Sequence, residues 1–138
     1  MITSFDYFFG GHIEMQSLGF AGIPIDDRSE SDDRLASVFD ETLSIAELME
    51  RNGFDSLWLA EHHFQNEGYG GIGNIPMLSV YLAQKTARLN FGAFFHTVPA
   101  WHPLRLAEDY ATADILTKGR FRFGIGRGYI NREVETLG

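Results

Sequence analysis

Two short stretches of this 138-residue sequence hold residue types able to do chemistry. The first, KGRFRFGIGRG at residues 118–128, alternates Phe121, Phe123 and Ile125 with Arg122, Gly124 and Gly126 before reaching Arg127 and Gly128. Alternation that runs into glycines is the pattern of a strand opening into a loop. Set between Gly126 and Gly128, Arg127 could hold an anion in the planar donor fork of its guanidinium while backbone approaches closely at the glycines. A phosphate-bearing cofactor is one reading, a buried strand with an ordinary arginine ion pair is the other, and the motif alone does not separate them. The second stretch, GFDSLWLAEHHF at residues 53–64, runs from a glycine stop through an apolar strand into Glu61, His62 and His63. Ionisable groups at a strand exit are candidates for catalysis.

The elements that must position these residues follow from periodicity. Residues 2–9 (ITSFDYFF) are β-branched and aromatic and predict a first strand ending at Gly10 and Gly11. The segment up to Asp33 has no clear period and is long for a βα connection, so it reads either as a lid-like or binding loop or as a variable insertion. From Ser31, the spacing of Leu35, Val38, Phe39, Thr42, Ile45, Ala46 and Met49 predicts an amphipathic helix, with Asp32 and Asp33 in its first turn, Arg51 in its last and Gly53 as its stop. Residues 56–62 predict a continuously apolar second strand of the kind covered on both faces in a parallel sheet. Asn74 reads as a cap, with Pro76 in the first turn and a second helix over residues 77–86. Residues 89–97 (LNFGAFFHT) predict the third strand, and His102 and Pro103 open a third helix whose Leu104, Ala107, Ala111 and Ile115 are expected to face inward. The glycine-rich stretch above is the fourth strand.

Strands alternating with single helices form a βαβ train, with right-handed crossovers and parallel neighbours. An open dinucleotide-binding sheet would place its glycine fingerprint after the first strand, whereas Gly124, Gly126 and Gly128 follow the fourth with no helix start beside them. In a parallel barrel the loops after successive strands gather on one face, bringing His62 and His63, Phe94 to His96, and Arg127 together. Adjacent His62 and His63 should face opposite ways, so that only one projects toward the barrel axis.

Composition narrows the classes of function. With 44% hydrophobic residues and 14% aromatics the chain has the material for a packed core, and its lack of cysteine excludes disulfides, thiolate zinc sites and thiol catalysis. A formal charge of −8 with only 11 scattered Lys and Arg argues against nucleic-acid binding. The acidic cluster over residues 26–41 is read as a solvated loop and helix start. Glu61, His62, His63, His96 and His102 are all able to bind metal, but no H-x-H or H-E-x-x-H spacing occurs and no metal site is expected; His12 is read as solvated. No secretory leader or membrane span is seen, and a cytoplasmic protein is expected.

GFDSLWLAEHHF and GRFRFGIGRGYINRE, together with LNFGAFFHTVPAWHP at residues 89–103, resemble the bacterial luciferase-like, flavin-dependent monooxygenase family, and within it the N-terminal half of the luciferase alpha subunit. The resemblance covers most of residues 52–138 and is weakest over 10–33. It implies an α/β fold, a (β/α)8 TIM barrel for which about 250 residues is typical. This chain would then be a single partial domain, 1–138, holding the first four βα units: a fragment, or a form in which two copies close the sheet. By the same resemblance His62 is catalytic, Phe94 and Phe95 sit against the flavin across a non-prolyl cis peptide, Arg127 binds the FMN phosphate and Tyr129 flanks the cofactor. A departure stands at Gly126, where the luciferase alpha subunit has cysteine.

The implied activity uses reduced FMN, supplied by a separate flavin reductase, and O2 to oxidise an aldehyde or another small organic substrate. A homo- or heterodimer is expected. A histidine, whose unperturbed pKa lies near ~6.5, suits the proton transfers such a reaction needs. Two alternatives stay open: a deazaflavin-dependent hydride transfer, and a non-catalytic truncated domain that binds flavin or serves in assembly.

Overall fold

A computed structural model describes residues 1–14 and 28–137. The loop expected over residues 10–33 falls mainly on 15–27, outside the described residues. Four strands, β1 (Asp6–Phe9), β2 (Ser56–Leu59), β3 (Asn90–Ala93) and β5 (Phe121–Arg122), form one parallel sheet in the order β1-β2-β3-β5. Helices α1 (Asp32–Asn52), α2 (Ile75–Ala83) and α3 (Pro103–Thr117) make the connections between them. Beyond the main sheet, β4 (His96–Thr97) pairs in parallel with β6 (Ile125–Gly126), and a short helix α4 (Asn131–Leu137) follows. Among the described residues no helix is long and apolar enough to cross a membrane.

The local signals act as their chemistry dictates. The Ser31 hydroxyl accepts from the Arg34 N–H at the start of α1, and Gly53 at φ 79° ends it. Asn74 caps α2 by accepting from the Met77 N–H at 2.9 Å. Alternation along β2 and β3 sends Leu57, Leu59, Phe91 and Ala93 to the helix side, all fully buried. Val38, Ala46 and Met49 of α1 and Leu78 and Leu82 of α2 meet them in one core. Three charged or polar side chains fasten the sheet's entry edge: Asp55 accepts from the Phe5 N–H, Glu50 from the Leu89 N–H, and the Arg120 guanidinium donates to the Ala83 and Leu89 carbonyls.

Several expected boundaries shift. The first strand begins at Asp6 rather than Ile2, because β1 has only β2 as a neighbour and the paired register runs from Asp6 opposite Ser56 to Phe9 opposite Leu59. The second strand ends at Leu59, before His62, and α2 closes at Ala83, where Gln84 and Lys85 N–H groups turn back to Tyr81 and Leu82 carbonyls. The third and fourth strands are each broken in two. Between β3 and β4 stands the cis peptide Phe94–Phe95, and between β5 and β6 stands Gly124, where any side chain would overlap the Ala93 carbonyl.

The inward face of α3 also differs. Leu104 and Ile115 are 70% and 75% exposed, Ala107 and Ala111 are exposed as well, and the buried stripe is Leu106, Ala113 and Thr117 with half-buried Tyr110. Both stripes have helical spacing. Tyr110 decides between them by stacking on Phe121 at 4.8 Å and meeting Phe123 edge-on at 4.4 Å, a large anchor that aliphatic counting undervalues.

Candidate active site

The strand exits open onto a cleft of about 610 Å³ that His62, Phe94, Phe95, Arg127 and Tyr129 all line. That volume lies in the range of roughly 300–1,000 Å³ occupied by small-molecule sites. One wall is aromatic. The rings of Phe94 and Phe95 lie 4.3 Å apart, Phe8 of β1 meets Phe94 edge-on at 5.3 Å, and the three remain 47%, 49% and 48% exposed respectively. Ring surface left this open inside a cleft is surface for a flat apolar ligand. Gly126 belongs to this wall, since a Cβ there would lie 2.9 Å from the Phe95 Cβ.

A second wall carries the histidine. Beyond the end of β2 the His62 N–H donates to the Ile72 carbonyl at 3.0 Å, and Gly70 packs so closely on the imidazole that a Cβ there would lie 2.6 Å from its Cβ and Cδ2. His62 Nδ1 is 3.2 Å from Oε1 of Glu133, a residue of α4 only 3% exposed. The same oxygen already accepts from the His63 N–H at 2.8 Å and from Gln65 Nε2 at 3.1 Å. An oxygen receiving two N–H groups acts as an acceptor, so it holds the imidazole by a proton on Nδ1 and leaves Nε2 as the ring nitrogen this carboxylate does not engage. Tyr69 and Tyr129 stand 5.8 and 6.5 Å from this ring.

His63 does not line the cleft. The strand alternation expected to turn the two histidines apart has ended by then, and two carboxylates do the sorting instead, Glu133 taking His62 and Glu61 taking His63 at 2.8 Å. The hydrogen bond to Glu61 raises His63 above the usual histidine range, against the opposing effect of burial. Burial would raise the Glu61 carboxyl, but the bonds from His63, the Thr97 N–H and the Trp101 indole outweigh it and bring Glu61 below its ordinary value. His96 is fully buried, 3.7 Å from Glu61, and burial lowers its pKa despite that nearby carboxylate. Among the described residues no group of three or more His, Asp or Glu is placed to hold a metal ion.

The third wall is the loop after β6. Gly128, at φ 74°, lies on the Thr97 side chain, and Arg127 before it is exposed, with no hydrogen bond or ion pair to its guanidinium among the described residues. Tyr129 is 70% exposed at the cleft mouth. The sequence, with the resemblance, names all five of these cleft residues but passes over Glu133, Gln65 and Trp101, and weighs Glu61 only as a strand-exit ionisable group and a metal ligand. The acid in AEHHF was the available signal for Glu61; Glu133, in the polar run NREVE, reads as an ordinary surface helix.

The luciferase-like monooxygenase family matches residues 15–138 of this chain. The alkanal monooxygenase alpha chain of Photorhabdus laumondii is 39% identical over 101 residues, covering 73% of this chain and 28% of that protein. The oxygenase component of a flavin-dependent trigonelline monooxygenase from Acinetobacter baylyi is 34% identical over 101 residues, 72% of this chain and 27% of its own. Among solved structures, the oxygenating constituent of 3,6-diketocamphane monooxygenase from Pseudomonas putida, in complex with FMN, matches with TM-score 0.78 at 23% identity, over 99% of this chain and 33% of its own. The coenzyme F420-dependent tetrahydromethanopterin reductase of Methanopyrus kandleri matches with TM-score 0.64 at 19% identity, over 98% of this chain and 30% of its own. The chain thus spans 28% of the length of the Photorhabdus relative, and its parallel sheet with connecting helices has the fold of a partial (β/α)8 barrel. By the match over residues 15–138 and the identity to its relatives, the chain belongs to the luciferase-like monooxygenase family.

Proposed function

We propose that the cleft binds FMN and that the protein works as a flavin-dependent monooxygenase, using reduced FMN and O2 on an aldehyde or another small organic substrate. One observation supports this above the others: an exposed guanidinium with no ion pair among the described residues, an open aromatic wall and a carboxylate-held histidine share one cleft of about 610 Å³. Each feature suits a different part of FMN. Arg127 offers its donor fork to the phosphate, at a rim where the protein's overall charge of −8 makes a local cation necessary. Phe94 and Phe95 offer a flat apolar surface to the ring system, and glycine at 126 keeps Phe95 against the strand exit.

The flavin, when bound, supplies the redox chemistry, and the chain's own residues supply binding, orientation and proton handling. His62 is the acid–base group: with Nδ1 bonded to Glu133, its Nε2 is left to accept and return a proton. With a ligand ring seated on them, the Phe8, Phe94 and Phe95 side chains would keep water from that side of the cleft. Residues 1–138 act as one domain, the first four βα units of the barrel. Relatives named an alpha chain and an oxygenase component support a second chain beside this one and a separate reductase that delivers reduced FMN.

Titration with FMN and with a deazaflavin, followed by absorbance and fluorescence, tests the reading. Saturable FMN binding tighter than deazaflavin binding is expected. Tighter binding of the deazaflavin would move the assignment to hydride transfer, and no binding of either would overturn it.

A further inference from the structure

Glu61 is 3% exposed at the back of the cleft, and its carboxylate gathers more partners than any role in proton transfer by His62 requires. Oε1 accepts from His63 Nε2 at 2.8 Å and from the Trp101 indole N–H, while Oε2 accepts from the Thr97 backbone N–H and lies 3.7 Å from His96 Nε2. These donors come from separate segments: the exit of β2, the strand β4 that follows Phe94–Phe95, and the turn after Val98–Ala100. Strand β4 in turn pairs with β6, His96 opposite Ile125 and Thr97 opposite Gly126, and the Thr97 side chain is the surface on which Gly128 rests. A continuous path therefore runs from Glu61 through Thr97 to the backbone on both sides of Arg127. A buried carboxylate with its oxygens saturated by N–H groups fixes those groups more firmly than a neutral acceptor would.

We infer that Glu61 is the positioning residue of the cofactor wall, setting where the Phe94–Phe95 pair and the Arg127 loop stand relative to His62. The inference rests on the flavin reading of the cleft. It explains why an acid that lines the cleft beside the two histidines has both its oxygens taken up by N–H donors of the surrounding segments. An amide at this position has one acceptor oxygen where the carboxylate has two, so its NH2 group would confront either the His63 and Trp101 donors, which share Oε1, or the Thr97 N–H on Oε2.

The test is Glu61→Gln, read by two independent measurements on the purified protein. Of the two tryptophans, only Trp101 donates to Glu61, so its indole N–H resonance should move upfield while that of Trp58 stays. Riboflavin should bind on the order of tenfold more weakly because the Phe94–Phe95 wall moves, and FMN should lose more than riboflavin because the Arg127 loop moves with it. Trp101→Phe, which removes one donor and leaves the carboxylate, should weaken both flavins in the same direction by a smaller factor, and it carries the test if Glu61→Gln does not fold. Unchanged riboflavin affinity in a folded variant, or an indole resonance that does not respond, overturns this inference alone. Wild-type protein that binds neither flavin overturns the flavin reading and this inference with it.

Discussion

Glu133 and Glu61 are each 3% exposed, and each takes one histidine of an adjacent pair, yet they do different work. Glu133 comes from α4 and collects its donors, His62, the His63 N–H and Gln65, from the β2 exit. It orients a side chain that faces the cleft. Glu61 comes from the β2 exit itself and reaches outward to the Thr97 N–H and the Trp101 indole. It orients backbone. Both are buried carboxylates beside a histidine, and burial alone would not tell them apart; the origin of their donors does.

The largest effect that would break this comparison lies at the histidines. In a form that completes the barrel, His62→Ala should lower turnover by ~10²–10⁴-fold with flavin binding largely intact, as loss of a general acid–base does, while His63→Ala should be far milder. Stopped-flow mixing of reduced, flavin-loaded protein with O2 and substrate measures both, and equal losses would contradict the assignment. Next comes Glu133→Ala, which leaves His62 in place but free to rotate; turnover should fall on the order of 10²-fold, with FMN affinity nearly unchanged. A matching fall in FMN affinity would show that Glu133 shapes the wall instead, and the two carboxylates would not differ as described.

A smaller effect concerns the Glu61 side, where His96 has no hydrogen-bond partner at either ring nitrogen. Its pKa is lowered from 6.5, first by burial. Below pH 6.5 the unfolded chain therefore binds the extra proton first, so His96 contributes stability above that pH and loses it as pH falls through the folded value. Glu61, lowered from 4.5, loses its contribution only below that, whereas His63, raised from 6.5, contributes fully below 6.5 and loses it as pH rises. His96→Leu should thus be at least as stable as wild type in urea, since no hydrogen bond is broken, with an advantage that grows between pH 6.5 and 4.5. Parallel pH profiles for the two proteins would contradict it.

Much of this arrangement was legible in the chain because it is local. The Ser31, Asn74 and Gly53 caps and the run-out at residues 118–128 depend on neighbours in sequence, and strands joined by single helices left little choice of topology. The resemblance supplied what spacing could not, including the Phe94–Phe95 cis peptide. What stayed hidden depends on partners far along the chain. Glu133 looks like a solvated helix residue until α4 folds 71 positions away onto His62. The buried stripe of α3 is chosen by Tyr110 meeting Phe121 and Phe123, contacts that a count of aliphatic residues does not register.

The central claim is that the loop after β6 grips the FMN phosphate while the aromatic wall holds the ring. FMN and riboflavin differ only in that phosphate, so titrating both into wild type and into Arg127→Ala isolates the grip. Wild type should prefer FMN by roughly tenfold or more, as a charge-assisted pair to phosphate would give, and Arg127→Ala should lose that preference while binding riboflavin as before. An Arg127→Ala protein that still prefers FMN by the wild-type factor would contradict the account.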